Sequence, residues 1–238
     1  MLTIYHIRLL IDVCRQMSFE GLLNNERVII PPLEIDIVLP NEFLGVNNNP
    51  AIFVNSGTYK QLKKFHSTWV ENRTLVFKKT FLKEDAINII GAVIHETGHA
   101  FNVAAHLPNT EENAYIYEIE VMRKLFATQS PLLFGCSFTD IQSYFKHRLT
   151  YYCINRQTNT ELNDLIESII NEFQLEEEQQ DSPPPPILKS PSFKNNNWPG
   201  LFSSPLRDEE QENIDANIAP EQENDESSIA DFVSSRLD

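Results

Sequence analysis

Cysteine is scarce in this chain. Cys14, Cys136 and Cys153 are odd in number, far apart and form no Cys-x-x-Cys pair. That argues against a disulfide framework and for work in a reducing compartment. Long apolar runs are also missing: no stretch approaches the ~20 residues of a membrane span. The apolar opening, residues 2–13, is broken by His6, Arg8 and Asp12, and no small-residue cleavage site follows. A secretory signal peptide is therefore not expected. Positive charge is in short supply, with 19 Lys and Arg against 34 Asp and Glu and a formal net charge of -15. Nucleic acid and anionic membrane are accordingly poor partners by charge. No internal repeat is evident.

The negative charge is unevenly placed. From Glu172 onward the chain holds about 16 acidic and 4 basic residues, so the preceding body is close to neutral. Beyond residue 175 come Glu176-Glu177-Glu178, four consecutive prolines from Pro183 to Pro186, and Asn195-Asn196-Asn197. Such sequence cannot bury enough apolar area to offset its ordering entropy. The expected organisation is a folded domain over 1–175 and a disordered, Pro-rich acidic tail over 176–238.

Within the body, residues 2–17 read as a helix. Residues 28–30 and 33–39 read as strands around Pro31-Pro32, the second with period-2 alternation. Residues 51–55 form a short buried strand ended by Ser56-Gly57. Residues 59–70 read as helical. Residues 74–80 form a strand with Leu75 and Phe77 on one face, available to pair with an extended substrate or to act as a plain sheet edge. Then the period changes. Ala86, Ile87, Ile90, Val93, Ile94, Phe101 and Ala104 recur at spacings of three and four, giving a helix that must stop before Pro108. Asn109-Thr110 can cap the next helix, 111–128, and two more are expected over 139–152 and 160–173.

The apolar helix carries His95-Glu96-Thr97-Gly98-His99. A helix turns 100° per residue, so two histidines four apart share a face about 6 Å apart. Two imidazoles in that relation can bind one Zn²⁺, and Glu96 at the flank can reach a water on the metal without becoming a ligand. Zn²⁺ lowers the pKa of its water to about 7, and Glu96 would take the proton during attack on a peptide carbonyl and deliver it to the leaving amine. The competing interpretation is a helix with two partly buried histidines, each bonded to a nearby acceptor. A catalytic zinc needs a third protein ligand, and the residues alone leave four candidates open. Glu111 and Glu112 open the next helix, where they also suit its dipole. Glu118 would be level with the histidines in a tight antiparallel hairpin, or would lie on a solvated face. His106 shares the face angle but serves only if the helix ends early. Tyr115 and Tyr117 could donate to an oxyanion or simply pack.

These residues resemble the zincin metallopeptidases over about positions 74–120. The resemblance implies an α+β fold with a small sheet over the metal helix. In the branch with a glutamate ligand, that ligand commonly stands as Glu-x-x-Ala on the following helix. Glu111-Glu112-Asn113-Ala114 matches, which implies His95, His99 and Glu111 as the zinc ligands and Glu96 as the catalytic base. The motif in a small body, followed by a glutamate-rich C-terminus, also resembles effector proteases that an intracellular bacterial pathogen injects into host cells. That likeness implies a type IV secretion machinery reading the tail, export into host cytosol without a signal peptide, and host actin as substrate. Two other functions stay in competition: a non-enzymatic interaction protein using its Pro-rich acidic tail, and a zinc hydrolase acting on something other than protein.

Overall fold

Strand alternation and helix period divide the labour of the core. A computed structural model describes residues 2–22, 27–40, 49–155 and 159–175. The expected boundary at residue 176 and the tail beyond it lie outside the described residues. The architecture is mixed α+β. Among the described residues are six α-helices and one three-stranded sheet: α1 (Ile4–Gly21), β1 (Glu34–Val38), β2 (Ala51–Phe53), α2 (Ser56–Leu62), β3 (Thr74–Lys78), α3 (Ala86–Ala104), α4 (Glu111–Ala127), α5 (Phe138–Asn155) and α6 (Thr160–Phe173). None of these helices is long and apolar enough to cross a membrane.

The sheet runs β1-β3-β2, with β1 parallel and β2 antiparallel to β3. Period-2 alternation sends its side chains to two cores. Ala51, Phe53, Leu75 and Phe77 face the large helical core. Val38, Ile52, Val54 and Val76 face a smaller one closed by Leu62 and Trp69. The sheet therefore lies between α2 and the helical body. Fully burying one such aliphatic or aromatic side chain contributes about 1.5–3 kcal/mol.

On the main-core side α3 is the pivot, packing against α1, α4, α5 and β2. Its glycines permit close approach. A Cβ on Gly98 would lie 3.1 Å from Tyr117 Cβ and 3.2 Å from the Ala114 carbonyl, so this position lets α4 sit against α3. A Cβ on Gly91 would fall 2.1 Å from the Tyr144 hydroxyl, and α5 packs there. Residues 105–110 reverse the chain, starting at His106 in the left-handed region (φ 59°), and Thr110 caps α4 by accepting from the Asn113 amide.

Three expectations need correction. Residues 28–30 join no strand: the Val28 amide donates to the Ser18 carbonyl and Arg15 Nε donates to the Ile30 carbonyl, so the segment is tied to α1. The helix expected over 59–70 starts and stops earlier, because Trp69 turns inward to donate from Nε1 to Asp36, which a continuing helix would forbid. The strand at Thr74–Lys78 is the centre of the sheet, with both edges paired, so it has no free edge for a substrate. Among the described residues, the strand edge beside α3 that pairs with no other strand belongs to β2.

Candidate metal centre

Helix period places His95 and His99 on one face of α3, and the α3–α4 hairpin brings α4 over that face. The pairings run in opposite directions along the two helices: Asn109 and Glu111 lie at His99, Ala114 and Tyr117 at Gly98, Glu118 at His95. The nearest atoms of His95, His99 and Glu111 all lie within 4.8 Å of one another. His95 Nε2 is 3.3 Å from Glu111 Oε2, and His99 Nε2 is 3.6 Å from Glu111 Oε1. Ligand atoms at ~2.0–2.1 Å from a tetrahedral ion stand roughly 3.3 Å apart, so these separations suit a small divalent cation.

The other ring nitrogens explain why these atoms point inward. His95 Nδ1–H donates to Glu118 Oε2 at 2.8 Å, and His99 Nδ1–H donates to Asn109 Oδ1 at 2.8 Å. Each bond selects the tautomer whose Nε2 carries the lone pair. Among the described residues, His99 Nε2 is buried and has no hydrogen-bond partner. An ion pair with Glu111 accounts for the His95 Nε2, but it leaves the buried Nε2 of His99 unsatisfied beside the same carboxylate. The residues thus fit a metal ion. Burial alone would lower the His95 pKa, but the Glu111 and Glu118 carboxylates outweigh it and hold the ring up to about 10. The surroundings favour positive charge at this point.

The remaining candidates fall elsewhere. Glu112 is outside the triad. His106 is exposed at the hairpin, because α3 ends at Ala104 and the left-handed residue that turns the chain carries the ring away. Glu118 is neither a solvated residue nor a third ligand. It is fully buried, level with His95 but behind its ring, on Nδ1. Tyr117 is buried against α1, donating to the Cys14 carbonyl. Tyr115 lies beside the centre, its ring 5.1 Å from that of His95.

Glu118 stands level with His95, as a tight antiparallel hairpin requires, and organises this end of the site from behind the ring. Besides His95 its carboxylate accepts from Arg148 through Nη2 (2.6 Å) and Nε (3.0 Å), from the Tyr144 hydroxyl (2.6 Å) and from the Tyr152 hydroxyl. Burial opposes its charge, but Arg148 and His95 outweigh that and hold its pKa well below the usual carboxylate range. A signal for this hub exists in the sequence. Tyr144, Arg148 and Tyr152 are spaced by four, so they share one face of α5.

Glu96 is buried, and its Oε2 accepts the Phe53 amide at 2.7 Å. Burial pushes its carboxyl above the ordinary range, partly offset by the two histidines. The bond to Phe53 fixes which side of β2 faces the centre. The Val54 amide donates to Thr74 and the Pro50 carbonyl accepts from Lys78, so even-numbered residues point their backbone groups toward β3. Odd-numbered Ala51 and Phe53 point theirs to the open edge. Along that edge runs a cleft of about 360 Å³, with His95, Glu96 and Glu111 among its lining residues. Ala51 and Phe81 border it on the sheet side, Tyr115, Arg148 and Tyr151 on the helix side.

Comparison with protein-family models, with curated proteins and with solved structures returns no match for this chain.

Proposed function

We propose that this protein is a zinc-dependent endopeptidase of the zincin type, with His95, His99 and Glu111 as metal ligands and Glu96 as the base. The carrying observation is the convergence of two Nε2 atoms and a carboxylate, beside a buried Glu96, at the edge of one cleft. Zinc at that point would supply a water acidified to a pKa of about 7 and a positive charge for the developing oxyanion. The chain's own residues do the rest. Glu118 and Asn109 hold the imidazoles in the metal-binding tautomer. The Phe53 amide orients the Glu96 carboxylate through one oxygen, leaving the other for the attacking water. Glu96 takes a proton from that water and hands it to the leaving amine.

Support for a polypeptide substrate comes from β2. Ala51 offers an outward N–H and C=O beside the cleft, the groups an extended chain needs to add a strand. Tyr115 lies against the cleft, where an O–H donor is useful, and burial keeps its phenol protonated.

The resemblance to injected effector proteases carries the wider proposal: passage through a type IV secretion machinery by way of the acidic tail, action in host cytosol, and actin as substrate. It rests on the motif and the glutamate-rich C-terminus alone. The test measures zinc content and proteolysis of a host-cell lysate and of purified actin, for wild type and Glu96→Ala. One zinc per chain in both, with a protein cut only by wild type, is the expected result. Undiminished cleavage by Glu96→Ala would overturn the mechanism, and intact actin beside another cut band would overturn the substrate.

A further inference from the structure

We infer that the substrate polypeptide runs on from the cleft into a second cavity at the start of α3, so that the protein holds about four or five residues on one side of the cut bond. This rests on the proteolytic reading and adds the length of polypeptide that the site takes. The second cavity measures about 550 Å³. Its walls are the first residues of α3, the first half of α5 and the turn at 134–136.

The two cavities adjoin, because Asn88, Tyr144 and His147 line both. Asn88 and His147 are exposed, so the junction lies at the surface and not in the core. Along α3 the lining residues of the cleft recur as His95, Ala92 and Asn88, one stripe of the helix. That stripe leads back toward Asp85, which lines the second cavity. From His95 to Asp85 the helix covers about 15 Å, at about 1.5 Å per residue. An extended chain advances about 3.3 Å per residue, so about four or five residues span the distance.

The edge of β2 alone gives a polypeptide little to hold. β2 has three residues, and its Phe53 amide is taken by Glu96. Ala51 is left as the one residue of β2 with both backbone groups turned outward and unused. Net hydrogen bonds contribute little each against the ordering of a flexible chain, so one residue of strand pairing calls for a further grip.

The second cavity is built in advance. Phe134 and Gly135 both stand in the left-handed region, with φ of 50° and 84°. The Phe134 and Cys136 amides close this turn onto the Pro131 and Leu133 carbonyls. A Cβ on Gly135 would meet nothing within 4 Å, so glycine serves the backbone there and the space beside it is open. The Ser137 amide and hydroxyl donate to Asp140 and fix the start of α5. A preformed site of this kind lowers the ordering cost of binding. Asp85, Asn88, Asp140 and Ser143 give it a polar lining, suited to main chain and polar side chains. It is not a second metal centre: among the described residues only His95, His99 and Glu111 converge closely enough to hold an ion.

The test uses full-length Glu96→Ala protein with zinc added, and fluorescein-labelled peptides that carry one central phenylalanine. Binding is followed by fluorescence anisotropy. Each flank is lengthened separately, up to about eight residues, in alternating serine and alanine. The expected result is affinity that rises roughly tenfold as one flank grows to about five residues and then levels off, with little gain from the other flank. Ser143 is exposed on α5 and lines the second cavity but not the cleft. Ser143→Trp should therefore fill the cavity and abolish the gain, while short peptides bind as before. Ser143→Ala adds no bulk and should keep the gain, which separates filling from a disturbed fold. Binding of no peptide, no gain beyond about two flanking residues, or a gain that survives Ser143→Trp would overturn the inference. The readout needs no turnover, so it is separate from the proteolytic reading. Length-dependent binding without cleavage of any protein would sink only that reading, and cleavage of casein by a protein indifferent to flank length would sink only this one.

Discussion

The two imidazoles of the candidate metal centre sit four residues apart on one helix and are held in opposite ways. His95 is backed by a fully buried carboxylate, itself gripped by an arginine and two tyrosines from α5. His99 is backed by one neutral amide, Asn109, on the hairpin between α3 and α4. One end is locked by charge into the core of three helices. The other rests on a short loop. Both arrangements select the same tautomer, so tautomer choice needs only an acceptor. The charged end does more: it makes the site's electrostatics and the packing of α4 and α5 depend on one residue.

The comparison is broken most severely by Glu118→Ala. That change leaves Arg148 beside the cleft without its partner, and breaking a buried pair this way costs about 3–5 kcal/mol. Chemical denaturation should show the loss, and zinc content should fall with it. A near-neutral result would mean that the hub does not organise α5. Glu118→Gln keeps the shape and removes the charge, and a zinc titration should find affinity reduced about 10–100-fold. Gly91→Ala strikes the same end by packing. Its new methyl would push Tyr144 off Glu118, at a cost of about 1–3 kcal/mol in a thermal or denaturant melt. Asn109→Ala attacks the other end and should have the smallest effect. Roughly 1 kcal/mol of stability and about tenfold in zinc affinity are expected, because only a neutral hydrogen bond is lost. Should Asn109→Ala prove costlier than Glu118→Gln, the ranking of the two ends would be reversed.

Local signals made parts of this molecule readable in advance. The apolar period of α3 and the amphipathic stretch Thr160–Phe173 were legible because a helix repeats every 3.6 residues whatever surrounds it. The alternation of Leu75 and Phe77 was legible for the same reason in a strand. The two histidines and Glu96 follow from helix geometry alone. The strand expected at 28–30 failed because β-branched residues also suit an extended segment laid along a helix, and Arg15 and Ser18 supply the bonds a neighbouring strand would have made.

What lay beyond local reading was partnership across the chain. The choice for Glu118 between a place level with the histidines and a solvated face stayed open, because its countercharge stands 30 positions away on α5. Which strand forms the edge beside the cleft could not be read either, since strand order is set by how β1, β2 and β3 pair and not by any one of them. A helix bearing two same-face histidines with a glutamate at their flank follows from covalent spacing and helical pitch, which leave no other outcome. That Glu111 meets the two histidines, that Glu118 stands behind His95 and that β2 borders the cleft are consequences of packing. They depend on the α3–α4 reversal, on close packing at Gly91 and Gly98, and on burial that makes an unpaired charge too costly to leave.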